Sequence, residues 1–258
     1  MKILSLIIIG LIFTMDASSA IITKDVDYND GDVVLQGYLA YDDSKANSPG
    51  VLIVHQWKGL TDYEKMRARQ LAELGYVAFA VDVYGKGVRP VTPEDAGKEA
   101  GKYRSDVNLL RSRVTAGLNE LRKKSFVDAN NISAIGYCFG GGGVLELARS
   151  GADIKGVVSF HGTLKTPVPE DAKNIKCKVL VLHGAIDPNV PEQDVTGFKK
   201  EMEDANVDYV LTQYSGAVHS FTHPGAGSDP SKGSAYNERA DKRSWIAMQE
   251  FFDEIFVK

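Results

Sequence analysis

The stretch that decides the fold is residues 132–149, with the sequence ISAIGYCFGGGGVLELAR. Its first four residues form an apolar run that predicts a buried strand, and residues 144–149 predict a helix. Between them, Gly136-Tyr-Cys-Phe-Gly140 places a cysteine in the nucleophile position of a Gly-x-nucleophile-x-Gly elbow. The sharp turn pushes Cys138 out over the sheet edge, and the two glycines avoid Cβ clashes within it. The helix start directs free N–H groups at the sulfur, which favours the thiolate.

The run of glycines from Gly140 to Gly143 permits a second interpretation, a phosphate-binding loop at a helix N-terminus. However, the glycines form no Gly-x-Gly-x-x-Gly frame, and no Lys-Ser/Thr pair follows them. The nucleophile elbow is therefore favoured, provided that an acid and a histidine follow it in that order.

The composition fits a globular protein with a full core. The chain has 258 residues and an apolar fraction of 43%, with a net charge of −4 and no Lys/Arg run that would suggest nucleic-acid binding. Apolar strands alternate with helical patterns, which predicts one α/β domain with a doubly wound, mostly parallel sheet and helices on both faces. Residues 23–42 alternate in polarity around Asp30-Gly31, which predicts an N-terminal antiparallel hairpin. We expect this single domain to span residues 21–258.

The first 20 residues predict a secretory signal peptide that is not part of the fold. Lys2 is positively charged, residues 3–13 form an apolar run too short to span a bilayer, and Ser18-Ser-Ala20 offers a cleavage site. Cleavage after Ala20 gives a secreted or periplasmic protein without a membrane anchor. An uncleaved N-terminal anchor is the alternative.

Export raises the question of a disulfide between the two cysteines of the chain. Cys138 follows the C-terminal end of its strand, whereas Cys177 precedes the strand at residues 178–182. In a parallel sheet these positions lie roughly 20 Å apart, while a disulfide requires Cα atoms within about 7 Å. We therefore expect Cys138 to be a free thiol and Cys177 to be a buried apolar side chain.

A cysteine nucleophile needs a base, and the base needs an orienting carboxylate. Asp187 and His219 each follow a later predicted strand, and the order nucleophile, acid, histidine is that of α/β-hydrolases. We predict Cys138 as the nucleophile, His219 as the base and Asp187 as the orienting acid. Two backbone N–H groups are needed for the oxyanion, and we assign them to Phe139 and to Trp57 in the loop after the first long parallel strand.

Each of these roles has a structural alternative. Asp187 precedes Pro188 and would also suit a turn, and His219 would also suit a strand end. His161 and His183 lie at strand ends beside glycine, and we interpret both as structural because one histidine completes a triad. No pair of His and Cys residues has the spacing of zinc ligands, so we predict no metal.

Three segments resemble the dienelactone hydrolase family, which has the α/β-hydrolase fold. They are GYCFGG at residues 136–141, DPNVP at residues 187–191 and VHSF at residues 218–221. The likeness covers the chain from about residue 24 to its C-terminus. The resemblance implies a triad of Cys138, Asp187 and His219, and the hydrolysis of an ester or lactone without a cofactor.

Three positions depart from the family pattern. Gln56 stands where the family often has a glutamate that influences the protonation of the cysteine. Lys86, shortly after Tyr84, and His223 stand where the dienelactone-cleaving members use arginines for the substrate carboxylate. We predict that Gln56, Tyr84, Lys86 and His223 line the substrate pocket. The departures argue against a carboxylate-bearing lactone as the natural substrate.

The predicted function is a secreted, cysteine-dependent hydrolase of carboxylic esters or lactones that works by two-step acyl transfer through Cys138. The alternative is a small-molecule-binding protein that keeps the fold with little turnover, because Gln56 is neutral and the thiol is oxidisable. A thiol redox protein is a weaker alternative, since Cys138 has no Cys-x-x-Cys partner. The expected partner is a small ester or lactone, and the sequence leaves the oligomeric state open.

Overall fold

The computed structural model describes residues 20–256, which form one sheet flanked by helices. The predicted signal peptide therefore lies outside the described residues apart from Ala20. The strands are β1 (Ile21–Asp30), β2 (Val33–Asp42), β3 (Ser48–Val54), β4 (Val77–Val81), β5 (Val127–Tyr137), β6 (Gly156–Phe160), β7 (Lys178–Gly184) and β8 (Tyr209–Tyr214). The helices are α1 (Asp62–Glu73), α2 (Pro93–Ser105), α3 (Val107–Arg122), α4 (Phe139–Arg149), α5 (Glu192–Asp204) and α6 (Glu238–Ile255).

The sheet has the strand order β1-β2-β4-β3-β5-β6-β7-β8. The first two strands pair antiparallel from Ile21 opposite Asp42 to Asp30 opposite Val33, so the predicted N-terminal hairpin is confirmed. β2 also runs antiparallel to β4, and the pairs from β4 to β8 are parallel. The predicted mostly parallel sheet is therefore confirmed. Its C-terminal strand ends face one edge, where the site of such folds lies.

Two apolar clusters cover the two faces of the sheet. On one face α3, α4 and α5 contribute buried side chains such as Leu118, Leu145 and Phe198. On the other face α1 and α6 contribute Leu71 and Phe252. The predicted arrangement of helices on both faces is confirmed.

The segment between β4 and β5 differs from the prediction. The sequence suggests an irregular excursion over residues 84–100 and one helix over residues 103–124, but α2 already begins at Pro93. Thr92 caps α2 by accepting the Asp95 N–H at 3.1 Å, and proline is favourable at the first helical position. Asp106 then separates the two helices and caps α3 by accepting the Leu109 N–H at 2.9 Å. The capping signals outweighed the glycines and prolines that suggested a loop.

The elbow leaves a single residue, Cys138, between β5 and α4. The helix begins at Phe139 rather than at the predicted residue 144. The low helix propensity of glycine concealed this start, since close packing selects the glycines of the first turn. A Cβ on Gly136 would lie 2.0 Å from the Gly140 oxygen, and one on Gly140 would lie 2.1 Å from the Val54 oxygen. Cys138 itself has φ 56° and ψ −114°, a strained conformation that places its side chain beside His219 beyond the strand end.

We expect Gly140→Ala to lower the free energy of unfolding by about 3 kcal/mol. The added Cβ would clash with the backbone oxygen of Val54, which cannot move aside as a flexible side chain can. Gly97→Ala is a matched control, since a Cβ on Gly97 within α2 meets no atom within 4 Å. This control should be neutral or stabilising by up to about 1 kcal/mol. Urea denaturation measures both values, and equal stability of the two variants would contradict the packing explanation.

Candidate active site

Three strand ends bring the predicted triad together at one edge of the sheet. Cys138 follows β5, Asp187 follows β7 and His219 follows β8. The Cys138 Sγ lies 3.0 Å from His219 Nε2, and His219 Nδ1 lies 2.9 Å from Asp187 Oδ2. The imidazole thus bridges sulfur and carboxylate, the arrangement that a nucleophile, a base and an orienting acid require.

The electrostatics of the triad favour a thiolate beside an imidazolium. Burial raises the pKa of Cys138. The charge and hydrogen bond of His219, together with the Phe139 N–H, lower it by more, so the pKa lies below its ordinary value. Burial lowers the pKa of His219, but the sulfur and the Asp187 carboxylate outweigh this and raise it to about 10. Both pKa shifts favour the thiolate–imidazolium form of the pair over the neutral form.

The two predicted oxyanion donors follow neighbouring strands, Phe139 after β5 and Trp57 after β3. Phe139 is the first residue of α4, and its N–H is directed at the sulfur. The Trp57 N–H has no hydrogen-bond acceptor within residues 20–256, while its carbonyl accepts the Tyr84 hydroxyl at 2.9 Å. An unpaired N–H next to β3 suits the oxyanion of a tetrahedral intermediate.

A buried carboxylate holds the loop that carries Trp57. Glu64 Oε1 accepts the Gln56 N–H at 3.1 Å, and Oε2 accepts the N–H and hydroxyl of Thr61 at 2.8 and 2.7 Å. Thr61 and Glu64 form the predicted capping box at the start of α1, which is confirmed. The same glutamate thus caps a helix and fixes both ends of the loop after β3.

His161 contacts the backbone of the nucleophile. Its Nδ1 accepts the Cys138 N–H at 3.1 Å, and its Nε2 donates to Thr222 Oγ1 at 2.8 Å. Burial and the charge of His219 hold the pKa of His161 well below its ordinary value, so the ring is neutral. His161 therefore positions the elbow and is not a base, in agreement with the structural interpretation. Its contact with Cys138 has no signal in the sequence beyond its place at a strand end.

His183 makes no hydrogen bond to the triad within the described part of the chain, where its Nδ1 has no partner. Burial lowers its pKa, and the charges of Asp187 and His219 also act on it.

The four residues predicted to line the pocket divide into three groups. Gln56 and His223 line a polar cavity of about 180 Å³, together with Trp57 and Ser220. Tyr84 is buried and supports the Trp57 loop instead of facing a cavity.

The structure does not place Lys86 in the predicted pocket lining. Its ammonium forms an ion pair with Asp27 on β1, and it lines neither of the two cavities near the triad. The sequence predicts the hairpin but not its position relative to Lys86, so this ion pair could not be predicted.

Sequence analysis missed a second, larger cavity beside the elbow. It has a volume of about 310 Å³ and lies between the α2–α3 junction, the start of α4 and the loop after β6. Its lining is mainly apolar and includes Tyr103, Val107, Leu110 and Phe139. The interpretation of residues 84–100 as an irregular excursion hid this cavity, because its wall depends on the path of α2.

Both cysteines are free; the predicted burial of Cys177 is confirmed, and Cys138 is buried as well. Burial raises the pKa of Cys177 to about 12, so this thiol stays protonated and unreactive. Within residues 20–256, no three His, Cys, Asp or Glu side chains are grouped as metal ligands. The same residues include no helix with the length and apolarity needed to cross a membrane.

A mostly parallel sheet with a nucleophile elbow after one strand, and an acid and a histidine after later strands, defines the α/β-hydrolases. Within that class, the family model of the dienelactone hydrolase family matches residues 35–256. The chain therefore belongs to the dienelactone hydrolase family, and it is a hydrolase. The resemblance in the elbow, acid and histidine segments is confirmed.

Two solved structures are similar to this chain over nearly its whole length. The protein named m3DLH is 38% identical, with a TM-score of 0.89 and coverage of 92% of this chain and 100% of that one. A dienelactone hydrolase-like promiscuous phosphotriesterase from metagenomic libraries is also 38% identical, with a TM-score of 0.87 and the same coverage. A curated relative from Bradyrhizobium sp., named "Probable 2-oxo-3-(5-oxofuran-2-ylidene)propanoate lactonase", is 26% identical over 193 residues, which are 71% of this chain and 77% of the relative.

Proposed function

We propose that this hydrolase cleaves carboxylic esters or lactones by two-step acyl transfer through the Cys138 thiolate. The observation that carries the proposal is the continuous contact from sulfur to imidazole to carboxylate, with distances of 3.0 and 2.9 Å. The Bradyrhizobium relative, named as a lactonase, supports the substrate class.

In the first step the thiolate attacks the carbonyl carbon, and the oxyanion accepts hydrogen bonds from the N–H groups of Phe139 and Trp57. The tetrahedral intermediate collapses with cleavage of the C–O bond. His219 Nε2 donates its proton to the departing oxygen, which leaves as an alcohol. The product on the enzyme is a thioester at Cys138, and His219 is now neutral.

In the second step neutral His219 takes a proton from water, and the resulting hydroxide attacks the thioester. Collapse of this intermediate breaks the C–S bond, releases the carboxylic acid and expels Cys138 as a thiolate. The imidazolium and thiolate of the resting enzyme are thereby restored. For a lactone, alcohol and acid leave as one molecule.

The neutral side chain of Gln56 is compatible with this cycle. A carboxylate at that position would compete with His219 for the proton of the thiol, whereas an amide cannot accept it. His219 is then the sole base beside the sulfur among the residues described here. The alternative of a binding protein with little turnover has less support, because the triad is complete.

Export is part of the proposal and rests on the sequence alone. Lys2, the apolar run at residues 3–13 and the small residues before Ile21 support a cleaved signal peptide and a secreted or periplasmic enzyme.

Thiol reactivity tests the charge state of the triad. We expect iodoacetamide to alkylate Cys138 with a pH midpoint below 9.0, and we expect His219→Ala to shift this midpoint upward. Without the imidazolium the largest remaining influence on the thiol pKa is burial, which raises it, so the rate at pH 7 should fall at least about tenfold. Cys138→Ala supplies the background from Cys177. Identical pH profiles of the wild type and His219→Ala would contradict the thiolate–imidazolium pair.

The proposed function is tested by assaying 4-nitrophenyl acetate and a small lactone with the protein that begins at Ile21. For the lactone we expect kcat/KM, which reports the acylation step, to fall as the pH rises through about 10, because His219 then loses the proton that it donates to the leaving oxygen. A fully reduced protein that turns over neither compound would overturn the proposal.

A further inference from the structure

The larger cavity lies beside the nucleophile elbow. Phe139, which directly follows Cys138 and whose N–H is one of the proposed oxyanion donors, lines this cavity of about 310 Å³. A substrate bound to Cys138 can therefore extend into the cavity. The apolar wall formed with Tyr103, Val107 and Leu110 suits a hydrocarbon portion of the substrate.

Two exposed cations, Arg104 and Lys165, line the same cavity. Neither has an ion-pair or hydrogen-bond partner within residues 20–256. The Arg104 guanidinium lies 5.8 Å from the centroid of the Phe139 ring and is close enough to the sulfur to lower the pKa of Cys138. The cavity thus combines apolar walls with unpaired positive charge.

The acidic residue in the lining does not cancel this charge. The Glu146 carboxylate is paired with Arg111 at 2.7 Å and with Arg149 at 2.9 Å. Both cations are therefore available to an anionic ligand, and two such charges at one cavity attract an anion more strongly than isolated surface charges do.

The smaller cavity identifies which part of the substrate enters the larger one. His219 protonates the leaving oxygen, and its neighbour Ser220 lines the polar cavity of about 180 Å³ with Gln56. We therefore assign the leaving alcohol to the side of the polar cavity. The acyl group is left to the apolar cavity on the Phe139 side.

We infer that the acyl group of the substrate is apolar with an anionic end, and that this end is bound by Arg104 and Lys165. The inference rests on the proposed ester or lactone hydrolysis and adds the chemistry of the acid portion. Lys86, one of the positions where the family uses an arginine for the substrate carboxylate, is paired with Asp27. The inference therefore assigns the anionic end of the substrate to other cations.

His223 does not offer a competing anion site. Its ring stacks on Tyr63 with centroids 4.6 Å apart, and its Nδ1 accepts the Gly225 N–H at 2.9 Å. Burial and nearby cations lower the pKa of His223, so the ring is neutral at pH 7.

Matched esters test this inference. The 4-nitrophenyl monoester of suberic acid and 4-nitrophenyl octanoate share leaving group and chain length, and they differ in a terminal carboxylate. Adipate and sebacate monoesters, with hexanoate and decanoate as partners, vary the reach. We expect the anionic ester to have a kcat/KM at least about tenfold above that of its neutral partner at one chain length, decreasing with added salt.

The ratio of anionic to neutral kcat/KM within each variant cancels any change in the reactivity of Cys138. We expect the double variant Arg104→Gln, Lys165→Gln to lower this ratio about tenfold or more. Lys102→Gln removes one positive charge from the same helix as Arg104, where Lys102 is paired with Glu99, and this control should leave the ratio unchanged. Circular dichroism verifies that these surface variants fold.

A ratio near one in the wild type at every chain length would overturn the inference, as would a ratio unaffected in the double variant. Hydrolysis of the neutral esters in a Cys138-dependent way would leave the proposed function standing in both cases. No hydrolysis of any of these esters would overturn this inference, and the lactone assay would then decide whether the proposed function stands.

Discussion

Cys138→Ala is expected to lower kcat/KM for a small activated ester by at least about 10³-fold. The sulfur is the proposed nucleophile, and it lies 3.0 Å from Nε2 of His219. Alanine removes that bond and leaves only the oxyanion donors and binding contacts. Steady-state assay of 4-nitrophenyl acetate hydrolysis measures the loss.

Cys177→Ala is the matched control for this substitution. Cys177 is equally a free, buried cysteine, but it precedes β7 at the opposite sheet edge from the triad. Its removal should leave kcat/KM within about twofold and cost about 1 kcal/mol of stability through a small cavity. Equal activity of wild type and Cys138→Ala would mean that the chemistry lies on another residue.

Asp187→Asn is expected to reduce kcat by about 10²- to 10⁴-fold with a smaller change in KM. The carboxylate accepts a hydrogen bond from His219 Nδ1 at 2.9 Å and raises the pKa of that histidine. An amide removes the negative charge, so His219 loses its proton at lower pH. The alkaline limb of the kcat/KM profile for a lactone should therefore move down from about 10.

Asp229→Asn is a suitable control for Asp187→Asn, because Asp229 is exposed and bonds to Ser231 in the loop before α6. Thermal melts check folding, since the Asp187 carboxylate also accepts the Asn189 N–H at 2.8 Å. An unchanged alkaline limb in folded Asp187→Asn would show that this carboxylate does not set the charge of His219.

The elements that could be predicted were those with local signals. The elbow around Cys138 was predictable because a sharp strand-to-helix turn demands glycine on both sides. The α1 start was predictable because Thr61 and Glu64 form a capping box. Asp187 and His219 were found from chain order, which reflects where parallel strands end.

The features that could not be predicted depend on contacts between distant segments. Glycine suppresses helix propensity, so the start of α4 at Phe139 was hidden until Gly140 was seen packed against Val54. Lys86 could not be excluded from the site without the position of Asp27 on the hairpin. The contact between the Arg104 guanidinium and the Phe139 ring could not be predicted without the position of α2.

The most direct test of the account is the intact mass of the protein, quenched at successive times during turnover of 4-nitrophenyl acetate. We predict an added acetyl group that peptide mapping assigns to Cys138 and that is absent from Cys138→Ala. It should accumulate, because we expect hydrolysis of the thioester to limit turnover. An adduct formed at catalytic rate on a different residue, or turnover without an adduct at any quench time, would contradict acyl transfer through Cys138.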